Sequence, residues 1–235
     1  MSPKRVTFGA VAALISAVVV SAGASTDEAT PSNCDATDVE YAVAANLRVT
    51  GTLMGAGDGE YRIGPGRIVL RFDHDPNLLS RSPSSVRMMT YDMTEKFQLV
   101  SKVVFFTTKV LTDIRSHATP DVRSVVAEGA LTERTLRWTN VVGSFRSDGT
   151  LTCEGFFCGK FGAAPVGTSP FHMGPSKMSF SPFEFSADMK TFSMQSTLDS
   201  KTKDPQQESY VALAAREMRR TCVDLHAERR TAADP

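Results

Sequence analysis

Arg67-Ile68-Val69-Leu70-Arg71-Phe72 sets Ile68, Leu70 and Phe72 against Arg67, Val69 and Arg71. Successive side chains of an extended strand point to opposite faces, so this run gives one face to a core and the other to water. Upstream, Leu47, Val49 and Leu53 alternate with Arg48, Thr50 and Thr52, and downstream residues 86–93 place Met89, Tyr91 and Met93 on one side. From Phe97 to Leu111 the apolar run is long, and at Val103-Val104-Phe105-Phe106 both faces are apolar. That pattern predicts a central strand covered on both sides, or one bent from sheet to sheet.

Turn signals fall between the runs. Gly55-Ala56-Gly57-Asp58-Gly59 and Gly64-Pro65-Gly66 separate the first strands, and Ser147-Asp148-Gly149 reads as a hairpin turn between Val141–Arg146 and Thr150–Cys153. Ala187-Asp188-Met189-Lys190 links Phe180–Phe185 to Phe192–Met194. Short strands with turns at such spacing predict an all-β domain, first as a β-sandwich of two packed antiparallel sheets and second as a closed or partly closed barrel. Residues 207–225 leave two alternatives open. Val211, Ala214, Ala215, Met218 and Cys222 share a face of a short C-terminal helix, whereas Val211, Leu213 and Ala215 alternate as in a strand.

The N-terminus reads as a Sec-type secretory signal. Lys4 and Arg5 precede an uncharged apolar run from Val6 to Val20, and Ala22 and Ala24 then give the small-residue pattern of a cleavage site. Cleavage there starts the mature chain near Ser25 and places it in the periplasm or outside the cell. The apolar run is shorter than the roughly 20 residues a spanning helix needs, and no later segment has the length of one. A lipoprotein signal would put Cys at the cleavage site, and Cys34 is too far downstream; a twin-arginine signal needs paired Arg.

The expected organisation is therefore a signal peptide over 1–24, a polar lead-in over 25–40, one β domain over 41–225 and a charged tail over 226–235. Without Lys4 and Arg5 the chain carries 24 basic and 26 acidic residues. Arg216, Arg219, Arg220, Arg229 and Arg230 are interleaved with Glu217, Asp224 and Glu228. Such balance is no footprint for nucleic acid, which calls for clustered cations.

Four cysteines in an exported chain predict two disulfides rather than a metal site. Cys153 and Cys158 enclose a short loop, which leaves Cys34 for Cys222 near the ends of the domain. The loop holds Phe156 and Phe157. Two adjacent aromatics cannot both turn inward easily, so one is expected on the surface as a contact patch.

Chemistry has little foothold. Asp73-His74-Asp75 holds metal-ligand residue types, but neighbours on a strand diverge, and polar residues before Pro76 suit a strand end equally well. The glycine loop at 55–59 lacks the helix that a phosphate loop requires, and it holds one carboxylate, too few for calcium. No serine elbow or metalloprotease motif occurs. Neither a cofactor nor a metal is expected. The Phe- and Met-rich stretch from Phe145 to Met194 suits a large core, and it also suits an apolar cavity for a lipid. These residues predict a non-catalytic exported β domain that binds a hydrophobic ligand or an envelope protein partner. The alternatives are a secreted hydrolase whose site is assembled non-locally around His74 or His117, and a structural or surface-interaction protein.

Overall fold

A computed structural model of the protein describes residues 35–49, 59–74, 76, 84–103, 105–121, 123–160, 165–197 and 209–224. The described residues form eleven strands and no helix: β1 (Ala36–Val49), β2 (Gly59–Phe72), β3 (Ser84–Val103), β4 (Phe106–Thr119), β5 (Ala127–Thr132), β6 (Thr135–Val141), β7 (Ser144–Gly155), β8 (Gly167–Ser176), β9 (Phe183–Phe185), β10 (Thr191–Thr197) and β11 (Tyr210–Val223). The expected signal peptide, Cys34 and the tail from 226 onward lie outside the described residues. β1 begins at Ala36, inside the segment read as lead-in.

The all-β expectation holds, and of the two architectures the closed barrel is the one formed. The order β2-β1-β11-β10-β9-β6-β5-β3 closes on itself through pairing of β2 with β3. Eight strands enclose an interior just wide enough for side chains to fill. Val39, Tyr41 and Val43 of β1, Ile68, Leu70 and Phe72 of β2, Val86 and Met88 of β3, Leu136 of β6, and Phe183 and Phe185 of β9 fill it. Tyr41 donates to the carbonyl of Met189 at 3.0 Å across the barrel. Its ring lies 4.9 Å from that of Phe192, which stacks on Phe183 at 4.6 Å. The outer face carries charge, as in the paired ion pairs Asp38–Arg71 and Glu40–Arg67 across β1 and β2. Apolar residues inside and charged ones outside reverse the pattern of a lipid-facing barrel.

β3 has too many residues for the barrel alone. Its first residues pair with β5 and its middle with β2 as far as Met93; from Asp92 to Val103 it pairs with β4 instead. β4 then pairs with β7, and β7 with β8, which is the sheet edge. The result is a four-stranded wing projecting from the barrel wall. β4 shows why it is a strand there: Thr108, Val110, Thr112, Ile114 and Ser116 are buried, and the residues between them are exposed. Leu99, Val110, Ile114, Leu151, Cys153 and Cys158 form a second, smaller core on that face.

One open alternative is settled and four expectations are corrected. The C-terminal segment is strand β11, because it has β1 on one side and β10 on the other, and Leu213 and Ala215 point inward. Its alternation therefore prevails over helix propensity, and Ala214, Met218 and Cys222 of the supposed helical face are exposed. Val103-Val104-Phe105-Phe106 is a hairpin end, since β3 and β4 pair up to Val103 opposite Phe106. Ser147-Asp148-Gly149 lies within continuous β7, where Gly149 faces Ile114. A Cβ at Gly149 would come within 2.1 Å of the Asp113 carbonyl oxygen, so this glycine serves close strand approach and not a turn. Gly64-Pro65-Gly66 likewise belongs to β2. Alternation in 86–93 is broken by an extra residue, Met89, between the pairs Val69–Thr90 and Leu70–Met88. This bulge explains why Met88 and Met93 are both buried although their spacing is odd.

Candidate functional site

The far end of the wing is the most unusual surface among the described residues. Phe105, in the turn after β3, is 94% exposed, and Phe106 and Phe156 are each nearly half exposed. Two adjacent turns bring Phe106 and Phe156 together, and Phe105 precedes Phe106 in the chain. β4 and β7 pair from Thr108 opposite Gly155, so the start of one strand meets the end of the other. Gly155 has φ 119°, a conformation that lets the chain leave β7 sharply into the Phe156–Phe157 loop. The Phe106 and Phe156 rings stack at 4.1 Å, and Phe157 meets both edge-on at 6.3 and 5.3 Å. Such ring pairs contribute about 0.5–1.5 kcal/mol each beyond area burial.

The loop is held at both ends. Cys153, fully buried, is bridged to Cys158. The amide of Phe157 donates to Thr108 Oγ1 at 3.2 Å, and Lys160 N donates to the Phe157 carbonyl at 3.0 Å. Lys160 Nζ lies 3.9 Å above the Phe156 ring, a cation–π contact worth about 0.5–1 kcal/mol where exposed. Phe156 is thus the exposed residue of its pair, and Phe157 is half-buried. Phe105, Phe106 and Lys160 were missed in the sequence. The signal for them was an apolar run too long for one strand, which the eye joins across a hairpin that lacks Gly, Pro, Asn or Asp.

The other sequence candidates do not converge. His74 is exposed just after β2, Asp73 donates its amide to the Ser85 carbonyl at 3.3 Å, and Asp75 lies outside the described residues. No group of three metal-ligating side chains occurs among the described residues. Cys222 is disulfide-bonded; its expected partner, Cys34, lies outside the described residues. Phe145, Phe183, Phe185, Phe192 and Met189 are buried in the barrel core, so this part of the Phe/Met-rich half is spent on packing.

His117 and His172 lie on the polar face of the wing. His172 Nδ1 sits 2.8 Å from Asp148 Oδ1, and that hydrogen bond, helped by nearby His117 and Arg146, holds the Asp148 carboxyl below the usual range. Arg115 does the same for Asp92, which is opposite His117 in the register. On the other face, Ser116 Oγ donates to Glu95 Oε1 at 2.6 Å and shares a 2.7 Å hydrogen bond with Ser147 Oγ. His117, next to Ser116 along β4, points to the opposite face and is not positioned to activate either serine.

Compared with known proteins, the chain matches no family model, no curated protein and no solved structure.

A groove of about 970 Å³ crosses the outside of the barrel over β2, β1, β11, β10 and β9. Ala42, Ala44, Ser193 and Ala214 line it together with Arg62, Glu184 and Arg216. It is open and mostly apolar.

Proposed function

We propose that this chain is an exported, non-catalytic binding domain in which a rigid barrel carries a wing, and the wing's aromatic tip engages an apolar partner in the cell envelope. The four-phenylalanine tip carries this reading. Exposed apolar residues scattered singly need no explanation, whereas a contiguous aromatic patch marks a contact surface. Phe106, Phe156 and Phe157 are also braced by one another, by the Thr108 hydrogen bond and by the disulfide, so these three rings lose little side-chain freedom on contact. Export rests on residues 1–24 and is consistent with the Cys153–Cys158 bridge. No helix among the described residues is long and apolar enough to cross a membrane.

The test is fractionation of the native host expressing wild type or Phe105→Ser/Phe156→Ser. Wild type is expected in the envelope fraction, with most of the variant released at unchanged circular dichroism. Equal retention of a folded variant would remove the tip from the function. The outer groove supports a second reading, a site for an amphiphile with an anionic head facing Arg62 and Arg216. Mass spectrometry of an organic extract of the purified protein would reveal such a ligand.

A further inference from the structure

We propose that the aromatic tip enters the interface of an anionic lipid bilayer, with Phe105 deepest and Lys109 and Lys160 at the level of the phosphates. This deepens the reading above and rests on it, because it names the partner of the same surface.

Three observations favour lipid over a protein partner. The first is shape. A ring that is 94% exposed stands out from its surroundings, and its chain neighbour Phe106 stacks on Phe156 of the next loop, so this end of the wing protrudes. A fluid bilayer closes around a protrusion, whereas a protein would need a matching pocket.

Backbone satisfaction is the second. Polar backbone groups entering hydrocarbon must already be paired. Here strand pairing continues to Val103 opposite Phe106 and to Thr108 opposite Gly155, and the Phe157 amide is bonded to Thr108. The tip brings much of its own hydrogen bonding with it.

Charge is the third. Lys160 lies directly over the Phe156 ring, and Lys109 is exposed one strand away, with Glu154 opposite it in the register. The local balance is positive immediately behind the rings, where anionic headgroups attract Lys by Coulomb interaction. Polar residues on the strands behind, such as the hydrogen-bonded Thr152 and Thr168, limit entry to the interfacial layer. One such tip makes the association reversible, comparable in kind to a single acyl chain.

Flotation of the complete mature chain with vesicles of phosphatidylethanolamine and phosphatidylglycerol, against vesicles of phosphatidylcholine alone, tests this. Wild type is expected to float with the anionic vesicles and to be released by salt. Phe105→Ser should lower partitioning about tenfold. Lys160→Glu should weaken it about fivefold or more, and on anionic vesicles only. In Phe105→Trp the introduced indole should shift to the blue and be quenched by lipids brominated near the headgroup, read as the difference from wild type, whose partly buried Trp138 gives the background.

Failure of wild type to float would overturn the proposal, as would flotation of Phe105→Ser equal to wild type or an unquenched indole. If wild type ignores vesicles while the tip variants still lose envelope association, the partner is a protein: the lipid proposal falls and the tip reading stands. If envelope association is also unchanged in the variants, both fall.

Discussion

Tyr41 and Tyr91 show how single buried groups couple this fold to pH. Burial, with Glu95 beside it, pushes the Tyr91 hydroxyl up to about 12. Burial raises Tyr41 further, and Glu217 and Asp188 add to the effect against the opposing charge of Arg220. In the unfolded chain both ionise near 10. The folded state then holds protons that the unfolded state has lost, so stability is full below pH 10 and falls as pH rises from 10 to 12. Thermal midpoints followed by circular dichroism from pH 8 to 12 should decline in that window, and Tyr91→Phe should decline less steeply. Tyr41→Phe should also cost about 1–2 kcal/mol at neutral pH, because it removes the donor to the buried Met189 carbonyl. Neither tyrosine stands out in the sequence. Alternation puts Tyr91 on one side of its strand with Met93, but that this side faces inward depends on the bulge at Met89, and a bulge depends on the partner strand, which no local pattern encodes. By contrast, the exposure of one ring of the Phe156–Phe157 pair is legible, because two neighbouring rings in so short a cysteine loop cannot both turn inward; that the exposed one is Phe156 comes from the structure.

Among elements, β7 and the loop that follows it determine whether the tip exists. Gly149 lets β7 lie close against β4, Gly155 turns the chain, and the Cys153–Cys158 bridge fixes where the Phe156 ring sits. In the chain-entropy account a ring this small stabilises by about 2 kcal/mol. Cys153→Ser/Cys158→Ser is therefore expected to lower stability by about that much in urea unfolding and to leave the barrel intact. It should also free the Phe156 ring, and the Phe106–Phe156 stacking should weaken; a loss of the ring-current shifts of both side chains in NMR spectra would report it. Unchanged shifts in a folded variant would mean that the Phe157–Thr108 hydrogen bond holds the loop without the bridge. At this scale the sequence was informative wherever a strand has one wet face. Arg67–Phe72 of β2, with β9 and β10, follows directly from alternation and from the Ala187–Lys190 turn. It was least informative where strands meet without a marked turn, as at Val103–Phe106, and where a glycine serves approach instead of reversal, as at Gly149.

The whole molecule has two cores of unequal size, and their stabilities should differ accordingly. Barrel strands are paired on both sides around a closed ring, with Phe72, Phe183, Leu70 and Ile68 fully buried inside. Among the described residues the wing ends at β8, the last strand of the sheet order, which carries Pro170 and Pro175, residues that cannot donate to a further strand. Its core is a handful of medium side chains around Leu99 and Val110. Closure also explains why sandwich and barrel could not be separated from sequence: both need alternating strands, and only the pairing of β2 with β3 decides between them. Native-state amide exchange should therefore protect β1, β2 and β11 to the global limit, while β7 and β8 open through a smaller, local transition. Phe183→Ala should lower the global limit by about 3–5 kcal/mol and accelerate exchange everywhere. Leu99→Ala should cost about 2–3 kcal/mol in the wing and leave the slowest barrel amides unchanged. Equal acceleration of barrel and wing amides by Leu99→Ala would mean that the two cores unfold together. The aromatic tip would then be as rigid as the barrel, and the wing could not loosen on its own to adapt the tip to a partner.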